Sequence, residues 1–308
     1  MLSVVIPAFN EEEMIETASN TISNILKNEN IDYELVFVDD GSKDNTWKEI
    51  ERISKNDAKV SGICFSRNFG KDPAIFAGLE YVRGDCCVVI DCDLQQPPEK
   101  IVDMYRLWEQ GYEVVEGIKT NRGKESGFHK FAAHRFYKMM SGAIDDDMSN
   151  TSDFKLLDRK VVDTLNQMPE KQAFFRALSF WVGFKKTTVT YEVQERSAGE
   201  SKWSTKSLIK YAIRNLGSFT AAPIHIITWL GFLMLIISLV FTVIALVQKF
   251  KGQAVEGFTT VIILILFASS VVMISLGIIG YYVARIFEEL KGRPKYVVEE
   301  VCGEIKNQ

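Results

Sequence analysis

Asp91 and Asp93 stand one residue apart at the end of an apolar run, in the stretch VVIDCDLQQPPEK (88–100). In an extended chain alternate side chains share a face, so both acids point one way and Cys92 points the other, into the packing. Two carboxylates at that spacing repel, and one would ordinarily take up a proton. A divalent cation removes the conflict. Mg²⁺ or Mn²⁺ takes hard oxygen ligands and shares its remaining positions readily with phosphate oxygens. Pro97 and Pro98 then stop the strand and open the next helix, leaving Gln95 and Gln96 in a short turn. A DxD pair is common on protein surfaces, so its weight depends on the element that carries it.

Other polar clusters also close apolar runs: Asn10 and Glu11, Asp39 and Asp40, and Ser66 to Asn68. The runs themselves, 2–7, 33–38, 59–65, 86–90 and 112–118, read as five strands. Between them lie helical patterns at 10–27 (capped by Asn10), 44–55, 72–82 (Pro73 in its first turn) and 98–111. Strands apolar throughout, alternating with helices, predict an α/β domain whose parallel sheet is covered on both faces. In such sheets ligands sit beyond the carboxyl ends of the strands, where these acids fall. Other features read as structure. Asp158 and Arg159 suit a helix start and its ion pair, Asp145–Asp147 a solvated loop, and Trp181 a packing residue. His129, His134 and His225 have no metal-ligand spacing.

The chain has 308 residues, a net charge of −4 and five cysteines without a CxxC pair. That balance gives no case for nucleic-acid binding, a disulfide framework or a zinc site. Residues 226–247 and 258–284 contain no charged side chain. Each is long enough to cross a hydrocarbon core of about 30 Å. Together they predict a two-span hairpin (226–286) after a large domain at 1–203, with a tail at 287–308. Lys202, Lys206, Lys210 and Arg214 precede the first span, and Arg285, Lys291, Arg293 and Lys295 follow the second. The loop between offers only Lys249 and Lys251, which places the domain and both termini in the cytoplasm. Residues 204–219 carry a basic stripe opposite an apolar one, the pattern of a helix lying in the membrane interface.

Six motifs occur in order: VVIPAFNEE, VFVDDGSKDNT, FSRNFGKDPAIFAGL, VVIDCDLQQPPE, TSDFKLLDR and ERSAGESKWS. Together they resemble the polyprenyl-phosphate glycosyltransferases of glycosyltransferase family 2. That group includes dolichyl-phosphate mannose synthase and bacterial undecaprenyl-phosphate glucosyltransferases, and the hairpin resembles the latter branch. The resemblance implies a GT-A fold and a nucleotide-sugar donor, with Pro7, Phe9 and Glu11 at the nucleoside and Asp39 and Asp40 at base and ribose. It implies a metal held by Asp91, Asp93 and Gln95, with Arg196 and Lys202 neutralising the leaving diphosphate. Asp153 matches the family's catalytic aspartate, and Arg122 and Arg135 are candidates for the acceptor phosphate. The implied reaction is one inverting displacement by a polyprenyl phosphate, undecaprenyl phosphate in a bacterial plasma membrane. UDP-glucose is the favoured donor, ahead of UDP-N-acetylglucosamine or GDP-mannose, and a homo-oligomer is expected.

Two other functions fit parts of this pattern. A processive polysaccharide synthase shares the fold but carries a QxxRW motif and more spans, where this chain has QERSAGESKW and two. A non-catalytic binder of nucleotide sugars needs neither the acid pair nor Asp153. A dinucleotide dehydrogenase is disfavoured because no GxGxxG follows the first strand.

Overall fold

The computed structural model describes residues 1–120, 151–170, 174–192 and 257–304, with scattered positions between 227 and 251. The chain divides into two units, Met1–Ala212 together with Pro294–Gln308, and Ile213–Arg293.

The first unit is built on eight strands: β1 (Leu2–Ala8), β2 (Tyr33–Asp39), β3 (Val60–Phe65), β4 (Cys86–Val89), β5 (Val114–Lys119), β6 (Lys155–Asp158), β7 (Lys186–Tyr191) and β8 (Val298–Cys302). Their order is β7-β5-β6-β4-β1-β2-β3-β8. β4, β1, β2 and β3 run parallel. Every residue of β2 and of β4 is buried, as their unbroken apolar runs require for a sheet covered on both faces. The helices between them are α1 (Ile15–Asn28), α2 (Thr46–Asn56), α3 (Lys71–Tyr81), α4 (Lys100–Glu109), α5 (Arg159–Asn166) and α6 (Phe175–Trp181). α1 shows how they dock: Ile15, Ala18, Ile22 and Leu26 recur at helical spacing and are fully buried. Each large apolar side chain buried in this way contributes about 1.5–3 kcal/mol.

Several expectations change. α1 begins at Ile15, and Asn10 does not cap it. Asn10 takes φ 53 in the preceding loop, where its Oδ1 accepts from Lys43 N at 2.8 Å. The sheet is mixed: β6 runs antiparallel between β4 and β5, and β8 antiparallel beside β3. Residues 298–302, expected in a tail beyond the catalytic domain, are therefore its edge strand. Asp158 does cap α5, accepting from Lys160 N at 3.0 Å, and Arg159 pairs with Asp163. Trp181, expected in the packing, is 63% exposed.

In the second unit α7 runs from Phe258 to Leu290. At 1.5 Å per residue it is about 50 Å long. Its section Phe267–Leu290 is long and apolar enough to cross a membrane, and Met273, Leu276, Val283 and Phe287 along it are exposed. The described positions between 227 and 247 are helical. The interfacial helix expected at 204–219 lies outside the described residues.

Candidate active site

The parallel strands β1 to β4 end at one edge of the sheet, and three loops meet there. The first follows β1. Register places Pro7 opposite Val38 and Ala8 opposite Asp39, so Phe9 and Glu11 emerge beside the end of β2. The two loops are laced together: Asn10 N donates to Ser42 Oγ at 2.8 Å and Glu11 N to Thr46 Oγ1 at 2.9 Å. Asp39 and Asp40 are both buried. Asp39 Oδ1 accepts from Ser42 N at 3.0 Å, which closes the turn, and Cys64 Sγ lies 3.7 Å from its other oxygen. Asp40 accepts from Phe69 N at 2.6 Å and Gly70 N at 2.9 Å, holding the loop after β3 against the end of β2. Burial pushes the Asp40 carboxyl up to about 6, against the pull of those two amides. Gly41 makes this approach possible. Its φ is +64, and a Cβ there would lie 2.3 Å from the Arg67 carbonyl carbon.

The second feature is the turn after β4. Cys92 is buried, as the alternation requires, while Asp91 and Asp93 are half-buried. Leu94 takes φ 53, a left-handed conformation that costs roughly 1–2 kcal/mol for a branched side chain. This bend folds the glutamines back. Gln96 then brackets Asp91: its Oε1 accepts from Asp91 N at 2.9 Å and its Nε2 donates to Asp91 Oδ2 at 3.1 Å. Asp93 Oδ1 accepts from Gln95 N at 3.1 Å. Among the described residues the Gln95 side chain makes no hydrogen bond.

β6 supplies the third feature. Being antiparallel to β4, it pairs Lys155 with Val89. Two residues before Lys155 and two after Val89, Asp153 and Asp91 therefore reach the same edge. Asp153 is buried and clamped: Arg176 Nε donates to its Oδ1 at 3.0 Å and Nη2 to its Oδ2 at 2.8 Å. Lys71 Nζ, at the start of α3, lies 2.9 Å from Asp153 Oδ2 and 2.6 Å from Asp91 Oδ1. Burial alone would raise the Asp153 pKa. The charges and hydrogen bonds of Arg176 and Lys71 outweigh it and hold the carboxyl far below the usual range. The helix carrying Arg176 is pinned from below by Lys155, whose Nζ donates to Ser179 Oγ at 2.8 Å and pairs with Glu116 at 3.3 Å. Lys119, the last residue of β5, joins this charge cluster. Lost solvation and the Arg176 and Lys71 charges lower its pKa, while Asp91 and Asp153 oppose the change. Among the described residues it has no ion-pair partner.

The edge thus brings together Pro7, Phe9, Glu11, Asp39, Asp40, Asp91, Asp93, Gln95 and Asp153. Arg122, Arg135, Arg196 and Lys202 lie outside the described residues. Sequence reasoning missed Gln96, Lys119 and Arg176, and weighed Lys71 only within the basic, glycine-containing loop 66–71, as suited to a neighbouring phosphate or simply structural. Lys71 sat in a motif already quoted, and Lys119 closes a strand at the ligand edge. Arg176 had no sequence signal, because its helix is short and its partner lies across the sheet. Among the described residues no group of three or more His, Cys, Asp or Glu gathers as a metal cage. Asp91 and Asp93 do offer hard oxygen atoms, and a diphosphate would complete such a set.

A mostly parallel α/β sheet with paired acids and a clamped aspartate at its ligand edge defines a GT-A-like glycosyltransferase domain. The chain belongs to glycosyltransferase family 2: the family profile described as "Glycosyl transferase family 2" matches residues 3–166. It is 40% identical to "Uncharacterized glycosyltransferase YkcC" of Bacillus subtilis (strain 168), over 98% of this chain and 94% of the relative. It is 34% identical to "Prophage bactoprenol glucosyl transferase homolog" of Escherichia coli (strain K12), over 97% of this chain and 99% of that one. The fold is similar to that of glucosyl-3-phosphoglycerate synthase from Mycobacterium tuberculosis, crystallised with Mn2+, uridine-diphosphate and phosphoglyceric acid. The two share 20% identity and a TM-score of 0.52, covering 70% of this chain and 76% of that one.

Proposed function

We propose that this glycosyltransferase moves a hexose, glucose from UDP-glucose, onto undecaprenyl phosphate at a bacterial plasma membrane. The observation that carries this reading is the Lys71 bridge between Asp91 and Asp153, which supports a donor end at the one and an acceptor end at the other, within one ammonium's reach. The bactoprenol glucosyl transferase relative, similar over nearly the full length of both chains, supports the acceptor and the sugar.

At the donor end, Pro7, Phe9, Glu11, Asp39 and Asp40 would line the nucleoside. Asp91, Asp93 and Gln95 would hold Mg²⁺ or Mn²⁺, which when bound offsets negative charge on the departing diphosphate. Arg196 and Lys202 would add to that neutralisation. At the acceptor end, Lys71, Lys119 and Arg176 set three cations against the charges of Asp91 and Asp153. Their N–H groups would offer donors to an incoming phosphate, with Arg122 and Arg135 as further contacts. A phosphate monoester has a second pKa near 6, so it arrives largely ionised at neutral pH. Asp153, held as a carboxylate, is poorly suited to store a proton. Its part is to fix the Lys71 and Arg176 head groups on which the acceptor is oriented for attack on the anomeric carbon.

The membrane reading includes a two-span hairpin at 226–247 and 258–284. Residues after α7 return to the same sheet as β8, which supports an even number of crossings: one span out requires one span back. Domain and termini would then share the cytoplasmic side. Association of copies would give these two lone spans packing partners.

Membranes containing the protein, incubated with labelled UDP-glucose and Mg²⁺, are expected to yield a chloroform-extractable sugar lipid. A water-soluble polymer instead would identify a processive synthase, and no product with any of the three donors would leave a binding protein.

A further inference from the structure

We propose that Tyr296, on the segment returning from the apolar unit, is a positioning residue for the donor end of the site. Its ring stacks on Phe65 at a centroid distance of 4.8 Å with the planes 13° apart. Its hydroxyl donates to Glu80 Oε2. Phe65 ends β3 and Glu80 lies near the end of α3. Tyr296 therefore holds both ends of the 65–80 segment. The middle of that segment supplies the two amides that close on Asp40, and it delivers Lys71.

A chain of side chains connects the clamp to those amides. Phe69 packs edge-on against Phe65 at 5.7 Å, and Arg67 lies over the Phe69 ring at 4.0 Å. The backbone adds a further tie, since Ser66 N donates to Val297 O at 3.1 Å. This tie falls just past an irregularity in the β3–β8 ladder between Cys64 and Phe65. Regular pairing by β8 therefore weakens where the loop begins, and Tyr296 takes over. A second anchor of the same segment lies further along α3, where Lys295 Nζ donates to Met168 O at 2.9 Å and sits over the Phe76 ring at 5.0 Å. A stability strut needs only the ladder and contacts such as Trp47 Nε1 to Glu300 at 2.7 Å. Tyr296 differs because its partners stand at the end of β3 and near the end of α3, so the loop between those two elements lies within the segment it holds.

The inference rests on reading the Asp39–Asp40 end as the nucleotide site, and its test separates the two. Full-length protein in detergent is compared as wild type, Tyr296→Ala, Tyr296→Phe, Glu80→Gln and Trp47→Phe. Tyr296→Ala is expected to weaken UDP binding in Mg²⁺ and raise the donor KM about tenfold, the worth of a stacked pair. The acceptor KM should stay within about twofold. Tyr296→Phe and Glu80→Gln keep the stack and should fall between. Trp47→Phe should lower Tm without changing the ratio of donor to acceptor KM. Amide exchange at Phe69 and Gly70 reads the clamp without any donor, and it should be faster in Tyr296→Ala than in wild type or Trp47→Phe. Unchanged exchange at those amides, or equal shifts in donor and acceptor KM, would overturn the inference. Faster exchange in a protein whose wild type does not bind UDP would uphold the clamp and overturn the donor assignment.

Discussion

At the scale of single residues, the site turns on one buried carboxylate and the cations around it. The Arg176 fork grips both oxygens of Asp153, geometry that a lysine cannot reproduce. Arg176→Lys is therefore expected to lose about 100-fold in kcat, the usual scale for an oriented charged donor. Steady-state rates with saturating donor check this, and more than a tenth of wild-type activity would contradict it. Asp72 offers a different test, outside the reacting groups. It is buried, accepts from Phe175 N at 3.1 Å, and its carboxyl is pushed up to about 6 by burial and then by the Asp153 charge. The folded state thus holds the Asp72 proton more tightly than the unfolded chain does. Stability is lost as pH rises from about 4 through 6 and stays lost above that. Asp72→Asn keeps the acceptor oxygen and removes the charge, so it should stabilise the protein by up to about 3 kcal/mol at pH 7.5 and by little near pH 4. Thermal unfolding across that range should show the gap in Tm opening as pH rises, and a constant gap would refute the assignment.

At the scale of elements, the site depends on turns that hold their residues in uncommon conformations. The left-handed Leu94 returns Gln96 to Asp91, so Gln96 orients the carboxylate proposed to hold the metal. Gln96→Ala should raise the Mg²⁺ or Mn²⁺ concentration for half-maximal activity about tenfold, as for partners of metal ligands elsewhere. A metal titration unchanged from wild type would count against that role. Gly41 is the corresponding point between β2 and the loop after β3. Gly41→Ala adds a side chain at positive φ and drives it into the Arg67 backbone. The expected result is a loss of about 1–3 kcal/mol in unfolding free energy, with weaker UDP binding because the loop over Asp40 must shift. Normal UDP affinity in this variant would show that the loop is not part of the donor site.

At the scale of the whole molecule, the chain leaves the α/β unit, runs through the apolar unit and comes back to add an edge strand. This closure bears on membrane topology, because a chain that must rejoin its own sheet cannot end across the bilayer from it. A cysteine introduced as Gln253→Cys, between the two apolar stretches, should react with a membrane-impermeant thiol reagent in intact cells. Asn307→Cys should react only after the membrane is permeabilised. The opposite pattern would place the catalytic unit outside, and equal labelling of both would remove the hairpin.

The sequence by itself determined the strands and helices of the first 120 residues to within a few positions, because fully buried strands must be apolar throughout and helices must carry a stripe. It also singled out the acid pair Asp91 and Asp93, since acids at the mouths of apolar strands are costly unless a ligand or cation answers them, whereas Asp153 is marked only by the resemblance of TSDFKLLDR to its family motif. Only the tertiary structure decided which groups answer Asp153. Lys71 and Arg176 come from two distant segments, and no local spacing ties them to Asp153. Nor could the sequence reveal β6 or β8 as strands, because each is short and fixed by a neighbour far away in the chain. The acid pair at 91 and 93 is written in local spacing, whereas its link to Asp153 exists only because β6 runs antiparallel to β4 and brings residue 153 to the same edge.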